Sequence, residues 1–165
     1  MLAFVFSALP LLALVAADDV APVDERCART VIVEAGDTCD FISTKYGAST
    51  FQLSHVNPLS IDEACEQLQI GSELCLGFEG SDCSKIHTVV EGDTCGHLID
   101  VYGMDDATLR QNNPQINDEC TNIYIGEVLC VDTQAFEYPE FDQEKFEIVA
   151  ETYLPFCDQV GEESA

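Results

Sequence analysis

The chain has 165 residues, with 31 acids against six bases for a formal net charge of −25, and it carries nine cysteines and no tryptophan. A balance that acidic repels nucleic-acid phosphates and anionic membrane surfaces, which excludes both as partners. Nine cysteines in so short a chain imply an oxidising compartment and a disulfide framework, because small units bury too little apolar surface to hold themselves together.

Residues 2–17, LAFVFSALPLLALVAA, are uncharged and apolar and end with Val15 and Ala17 where a signal peptidase needs small residues. They predict a signal peptide over 1–17, cleaved near Ala17. The run is shorter than the roughly 18 apolar residues of a membrane span, and Pro10 interrupts it. The mature protein is therefore expected to be secreted and extracellular, with no membrane partner.

From Cys27 onward the chain repeats itself. GDTCDFISTKYG, Gly36 to Gly47, returns as GDTCGHLIDVYG, Gly92 to Gly103. Cys27, Cys39, Cys65 and Cys75 recur as Cys83, Cys95, Cys120 and Cys130 at offsets of 56, 56, 55 and 55 positions. Asn57-Pro58 recurs 56 positions on and Ile70-Gly71 recurs 55 on, which places a one-residue indel in NPLSIDEAC versus NPQINDEC. A connecting loop absorbs such a change where a helix or strand would not. Within each repeat the cysteines are separated by 11, then 25 or 24, then nine residues. Structural zinc sites place their ligands in close pairs, so the spacing argues for disulfides and against a metal. Four cysteines allow three pairings per repeat, and spacing does not choose among them. Cys157 stands outside both repeats. Its options are a free thiol, a partner within the tail, or a bridge to a second chain.

Each repeat opens on a β-branched, alternating segment, Thr30–Glu34 and then the IHTVVE run starting at Ile86, which predicts a strand. Gly36 marks a turn, and Asp37 or Thr38 can cap a helix with its apolar face at Cys39, Ile42 and Tyr46. The second copy presents Cys95, Leu98 and Tyr102 at the same three-then-four spacing. Gly47 and Gly103 are expected to stop those helices. Ser49 and Asp105 cap second helices carrying Leu53 and Leu109, which Pro58 and Pro114 end. Leu74–Leu76 and Val128–Val131 predict closing strands. The expected class is α+β, two tandem βααβ units at 27–77 and 83–132 joined by a linker at 78–82, with an acidic tail over 133–165.

The ordered set GDT-C, Tyr-Gly, Asn-Pro and Ile-Gly, present twice within a four-cysteine frame, resembles the LysM domain in the cysteine-rich form of secreted fungal proteins. That resemblance implies helices on one face of a two-stranded sheet and binding of β-1,4-linked N-acetylglucosamine polymers, chitin or its oligosaccharides. It places the sugar in a shallow groove between the loop after the first strand and the loop after the second helix. The implied first loops are Gly36, Asp37, Thr38 and Cys39, and Gly92, Asp93, Thr94 and Cys95. The implied second loops are Asn57, Pro58, Leu59, Ser60 and Ile61, and Asn113, Pro114, Gln115 and Ile116. The chemistry suits these residue types: a neutral amide, hydroxyls and a methyl group need fixed donors and acceptors beside a small apolar surface. Asp37-Thr38 as a cap and Asn-Pro as a helix stop are architectural roles for the same residues.

The tail holds nine acids, one lysine and six Phe or Tyr residues. It is expected to pack some aromatics back on the second repeat, with Glu140–Tyr153 able to form a helix. Catalysis has no support, since no nucleophile elbow, zinc-protease helix or phosphate loop appears. His55, His87 and His97 are scattered and read as surface or packing residues. No metal or cofactor is expected. The overall expectation is a non-catalytic secreted protein that sequesters chitin fragments or shields a cell wall. The alternative is a wall component acting through its tail and Cys157, with a ligand-bridged or Cys157-linked dimer as an arrangement left open.

Overall fold

A computed structural model describes residues 23–61, 65 and 68–140. The signal segment, the predicted helix Glu140–Tyr153 beyond its first residue, and Cys157 lie outside the described residues.

The element order is β1 (Cys27–Ile32), α1 (Cys39–Tyr46), α2 (Thr50–His55), β2 (Glu73–Phe78), β3 (Ile86–Thr88), α3 (Cys95–Tyr102), α4 (Asp106–Asn112) and β4 (Val128–Cys130). This is βααβ twice. β1 pairs antiparallel with β2, and β3 with β4, giving two separate two-stranded sheets. The opening strand starts three residues before Thr30 because Cys27 is opposite Phe78 and bridged to Cys75. At the far end the strand yields to a turn, since the Asp37 carboxylate takes the Glu34 N–H at 2.8 Å.

All four helix starts use the expected residues. Thr38, Ser49, Thr94 and Asp105 accept from the backbone N–H three positions on, satisfying donors that a helix leaves unpaired. Thr38 therefore caps α1, while Asp37 shapes the turn before it. Gly47 and Gly103, both at φ 69°, end α1 and α3 in the left-handed region that a side chain disfavours.

The first core gathers Val31, Val33, Ile42, Leu53, Ile61, Leu74 and Leu76, and the second Val89, Leu98, Leu109, Ile116, Leu129 and Val131. Each fully buried aliphatic side chain contributes about 1.5–3 kcal/mol, but conformational entropy cancels most of that sum in so small a unit. Disulfides reinforce the balance. The first cysteine of each repeat joins the fourth, Cys27–Cys75 and Cys83–Cys130. The second joins the third, Cys39–Cys65 and Cys95–Cys120. Four bridges at about 2–4 kcal/mol each are comparable to the whole net stability of a domain.

The two units are joined by more than a linker. Asp82 receives Arg29 in a two-pronged pair, Nε to Oδ2 at 2.6 Å and Nη2 to Oδ1 at 2.7 Å. Arg29 also donates to the Tyr46 and Gly47 carbonyls at the end of α1, where a cation meets the negative pole of the helix. Gln52 in α2 donates to the Leu76 carbonyl and to Asp82, and its Oε1 accepts the Cys83 N–H at 2.8 Å. Across the seam, the Val128 N–H donates to Thr50 Oγ1 at 2.9 Å and Thr50 donates to Asp40. The Tyr124 hydroxyl also donates to Asp40. Burial and that carboxylate push the Tyr124 pKa up to about 12.

Residues 133–140, expected to belong to an acidic tail whose aromatics pack back on the second repeat, run as a strap over both repeats. Asn112 bonds the carbonyls of Asp132 and Gln134 and the Phe136 N–H. Phe136 packs on the Cys83–Cys130 bridge. His55 in the first repeat hydrogen-bonds the Pro139 carbonyl at 3.0 Å.

Gly77 lies where this junction leaves no space, since a Cβ there would collide with the side chains of Asp82 and Gln52. Gly77→Ala is expected to lower stability by roughly 1–3 kcal/mol through overpacking. The midpoint of chemical denaturation of the oxidised protein measures it, and an unchanged midpoint would refute the tight junction.

Candidate functional site

The implied site residues divide into an inner set that builds the loops and an outer set that reaches solvent. Asn57 and Asn113 belong to the inner set. Asn57 Nδ2 donates to the Leu53 and Cys75 carbonyls, and its Oδ1 accepts the Cys75 N–H at 2.7 Å. Asn113 does the same with Leu109 and Cys130 at 2.8 Å for each bond. A buried amide with every donor and acceptor in use is expensive to disturb. These residues therefore tie the second loop to the closing strand, with their side chains turned away from the surface.

Cys39 and Cys95 are buried in disulfides, and Ile61 and Ile116 are only 5% and 6% exposed. Cys39 and Ile61 share one core cluster, and Cys95 and Ile116 the other. The two loops of each repeat thus meet at their bases through side chains that a ligand cannot reach.

The outer set comprises Gly36, Thr38, Pro58 and Leu59 in the first repeat, and Gly92, Thr94 and Pro114 in the second. Ser60 and Gln115 are half-buried. Asp37 and Asp93, the acids of these loops, are folded back on the backbone. Asp93 accepts the Val90 N–H at 2.8 Å and bonds His87 at 2.7 Å, and the other nitrogen of His87 meets the Tyr102 hydroxyl at 3.0 Å. His87 is accordingly a brace between β3, the first loop and α3. Gln115 donates to Glu127 at 2.9 Å, while Gln115 Oε1 is buried and has no partner among the described residues. Burial raises the Glu127 pKa.

Two residues escaped the sequence reading of the site. Ile70 and Ile125 are 71% and 68% exposed at equivalent positions, each just before a glycine whose N–H donates to the carbonyl of the residue that follows the opening strand, Val33 or Val89. The repeated Ile-Gly pair was the available signal. Among the described residues, no group of three or more His, Cys, Asp and Glu side chains could hold a metal ion. No described helix is long and apolar enough to cross a membrane.

Such a pair of disulfide-braced α+β modules, each presenting two adjoining loops whose most exposed residues are uncharged, has the character of a repeated binding module. The sequence matches the LysM domain over residues 31–77 and 87–132, more than half of the chain, and the protein belongs to that family. The non-secreted LysM effector LysM19 of Penicillium expansum is 34% identical over 137 residues, covering 74% of this chain and 10% of that protein. The secreted LysM effector LysM1 of Trichophyton rubrum is 29% identical over 128 residues, covering 64% of this chain and 50% of that protein. The secreted LysM effector Blys2 of Beauveria bassiana is 28% identical over 130 residues, covering 64% and 31%. The chain thus spans half or less of the length of these relatives.

The Val90 N–H, and secondarily His87, hold the Asp93 carboxyl below its ordinary 3.8. A lowered folded value contributes stability that is complete above the unfolded pKa and is lost as pH falls through the folded one. Asp93→Asn is therefore expected to flatten the acid limb of the stability curve below about pH 4. Denaturation midpoints over that range check it, and an unaltered acid limb would contradict the assignment.

Proposed function

We propose that this protein binds chitin and N-acetylglucosamine oligomers through the paired loops of its LysM domains and does not alter them. The observation that carries this reading is the neutrality of the exposed loop residues in a chain of net charge −25. Glycine backbone, threonine hydroxyls, prolines and Leu59 face solvent, while Asp37 and Asp93 are spent on backbone N–H groups. An uncharged sugar bearing an acetamido group suits such a surface, because polar recognition there needs fixed dipoles and an apolar flank in place of charge. Gly36 and Gly92 let backbone approach a ligand closely.

Hydrogen bonds of about 0.5–1.5 kcal/mol net make one shallow groove a weak site. Two grooves on one chain raise apparent affinity for a long polymer by roughly 10²–10⁴-fold where both engage. The names of the secreted LysM effector relatives support an exported protein. Sequestering soluble fragments and shielding a wall are the uses that such binding serves.

Calorimetry with an N-acetylglucosamine oligomer series tests the proposal. Heat of binding should rise with oligomer length and persist in about 0.5 M salt, where exposed charges are screened within a few ångströms. Asn113→Ala should weaken binding by collapsing the second loop. Absence of heat with every oligomer, or binding that salt abolishes, would refute the reading.

A further inference from the structure

An open cavity of about 570 Å³ lies between the repeats, beside the groove of the second one. Phe51 and His55 of α2 form one wall, Arg110 and Gln111 of α4 with Pro114 the second, and the strap from Phe136 to Glu140 the third. Its size falls within the range of small-molecule sites. Three of its rings form one cluster: Phe51 lies 5.4 Å from His55, stacked, and 5.1 Å from Tyr138, edge-on, while His55 and Tyr138 are 5.6 Å apart.

The state of its polar groups decides what it can hold. Arg110 is spent on Asp106 and the carbonyls of Asn117 and Asp118. The Gln111 amide donates to the Phe136 carbonyl, the Tyr138 hydroxyl donates to the Asn112 carbonyl, and His55 Nε2 is taken by Pro139. Among the described residues the carboxylates of Glu137 and Glu140 carry no hydrogen bond or ion pair. The groups left over are aromatic surface and two anions, which together suit an ammonium group carried on a body with an apolar face, as the C–H face of a pyranose ring presents. Pro114 belongs both to this wall and to the second loop of the neighbouring groove, so the cavity adjoins that groove.

We propose that the inter-repeat cavity is a subsite for a protonated amino sugar, a deacetylated unit in a polysaccharide whose acetylated units occupy the adjoining groove. This rests on the saccharide-binding reading above. The module then discriminates by pattern: neutral acetamido units in the grooves, one free amine at the seam.

Calorimetry of the full chain with two oligomers of equal length, one fully acetylated and one carrying a free amine, tests this at a pH where the amine is charged. The amine-bearing oligomer should bind about 3- to 10-fold tighter. The E137Q/E140Q variant should erase that preference and leave affinity for the acetylated oligomer unchanged. E79Q/D100N removes the same charge elsewhere and should keep the preference. Equal affinity for the two oligomers, a preference that survives E137Q/E140Q, or one lost equally in E79Q/D100N overturns the subsite while the groove reading stands. If neither oligomer binds the unaltered protein, the saccharide reading itself falls and the subsite with it.

Discussion

The fold of each repeat depends on one buried carboxamide. Asn57 and Asn113 stand where the second helix ends, and each replaces three backbone partnerships that no regular element supplies there. The helix pair gains an anchor to the closing strand, and the chain beyond it is forced into the loop that carries Pro58 and Leu59 or Pro114 and Gln115. A two-stranded sheet is marginal alone. It is stable here because the asparagine and the Cys27–Cys75 or Cys83–Cys130 bridge converge on the same strand.

Much of this was legible in the sequence, and the reasons are local. The caps at Thr38, Ser49, Thr94 and Asp105, the glycine stops and the apolar spacing of α1 and α3 depend on residues a few positions apart. What the sequence left open depends on encounters across the chain. Three cysteine pairings were compatible with the spacing until the strands brought Cys27 against Cys75. Asn57 and Asn113 were read as groove residues from their motif, and nothing in the motif distinguishes an amide facing a ligand from one facing the core. Ile61 and Ile116 were expected to offer an apolar flank, yet both are taken by the cores, whereas the exposed isoleucines are Ile70 and Ile125. The strap was hidden for the same reason, since Asn112 and His55 bond it from 24 and 84 positions away in sequence.

Charge is distributed with more order than its total suggests. Acids near the loops are turned to backbone N–H groups, Asp82 is held by Arg29, and Asp40 is held by Thr50 and Tyr124. Most other carboxylates among the described residues face solvent, where they favour solubility, and Glu137 and Glu140 line the cavity between the repeats. Glu127 is the exception, a nearly enclosed acid whose raised pKa reflects the cost of burying charge beside Asp40.

Because His55 and Asn112 hold it from opposite repeats, the strap acts as a clasp: the two modules cannot part without breaking the hydrogen bonds that each of them makes to it.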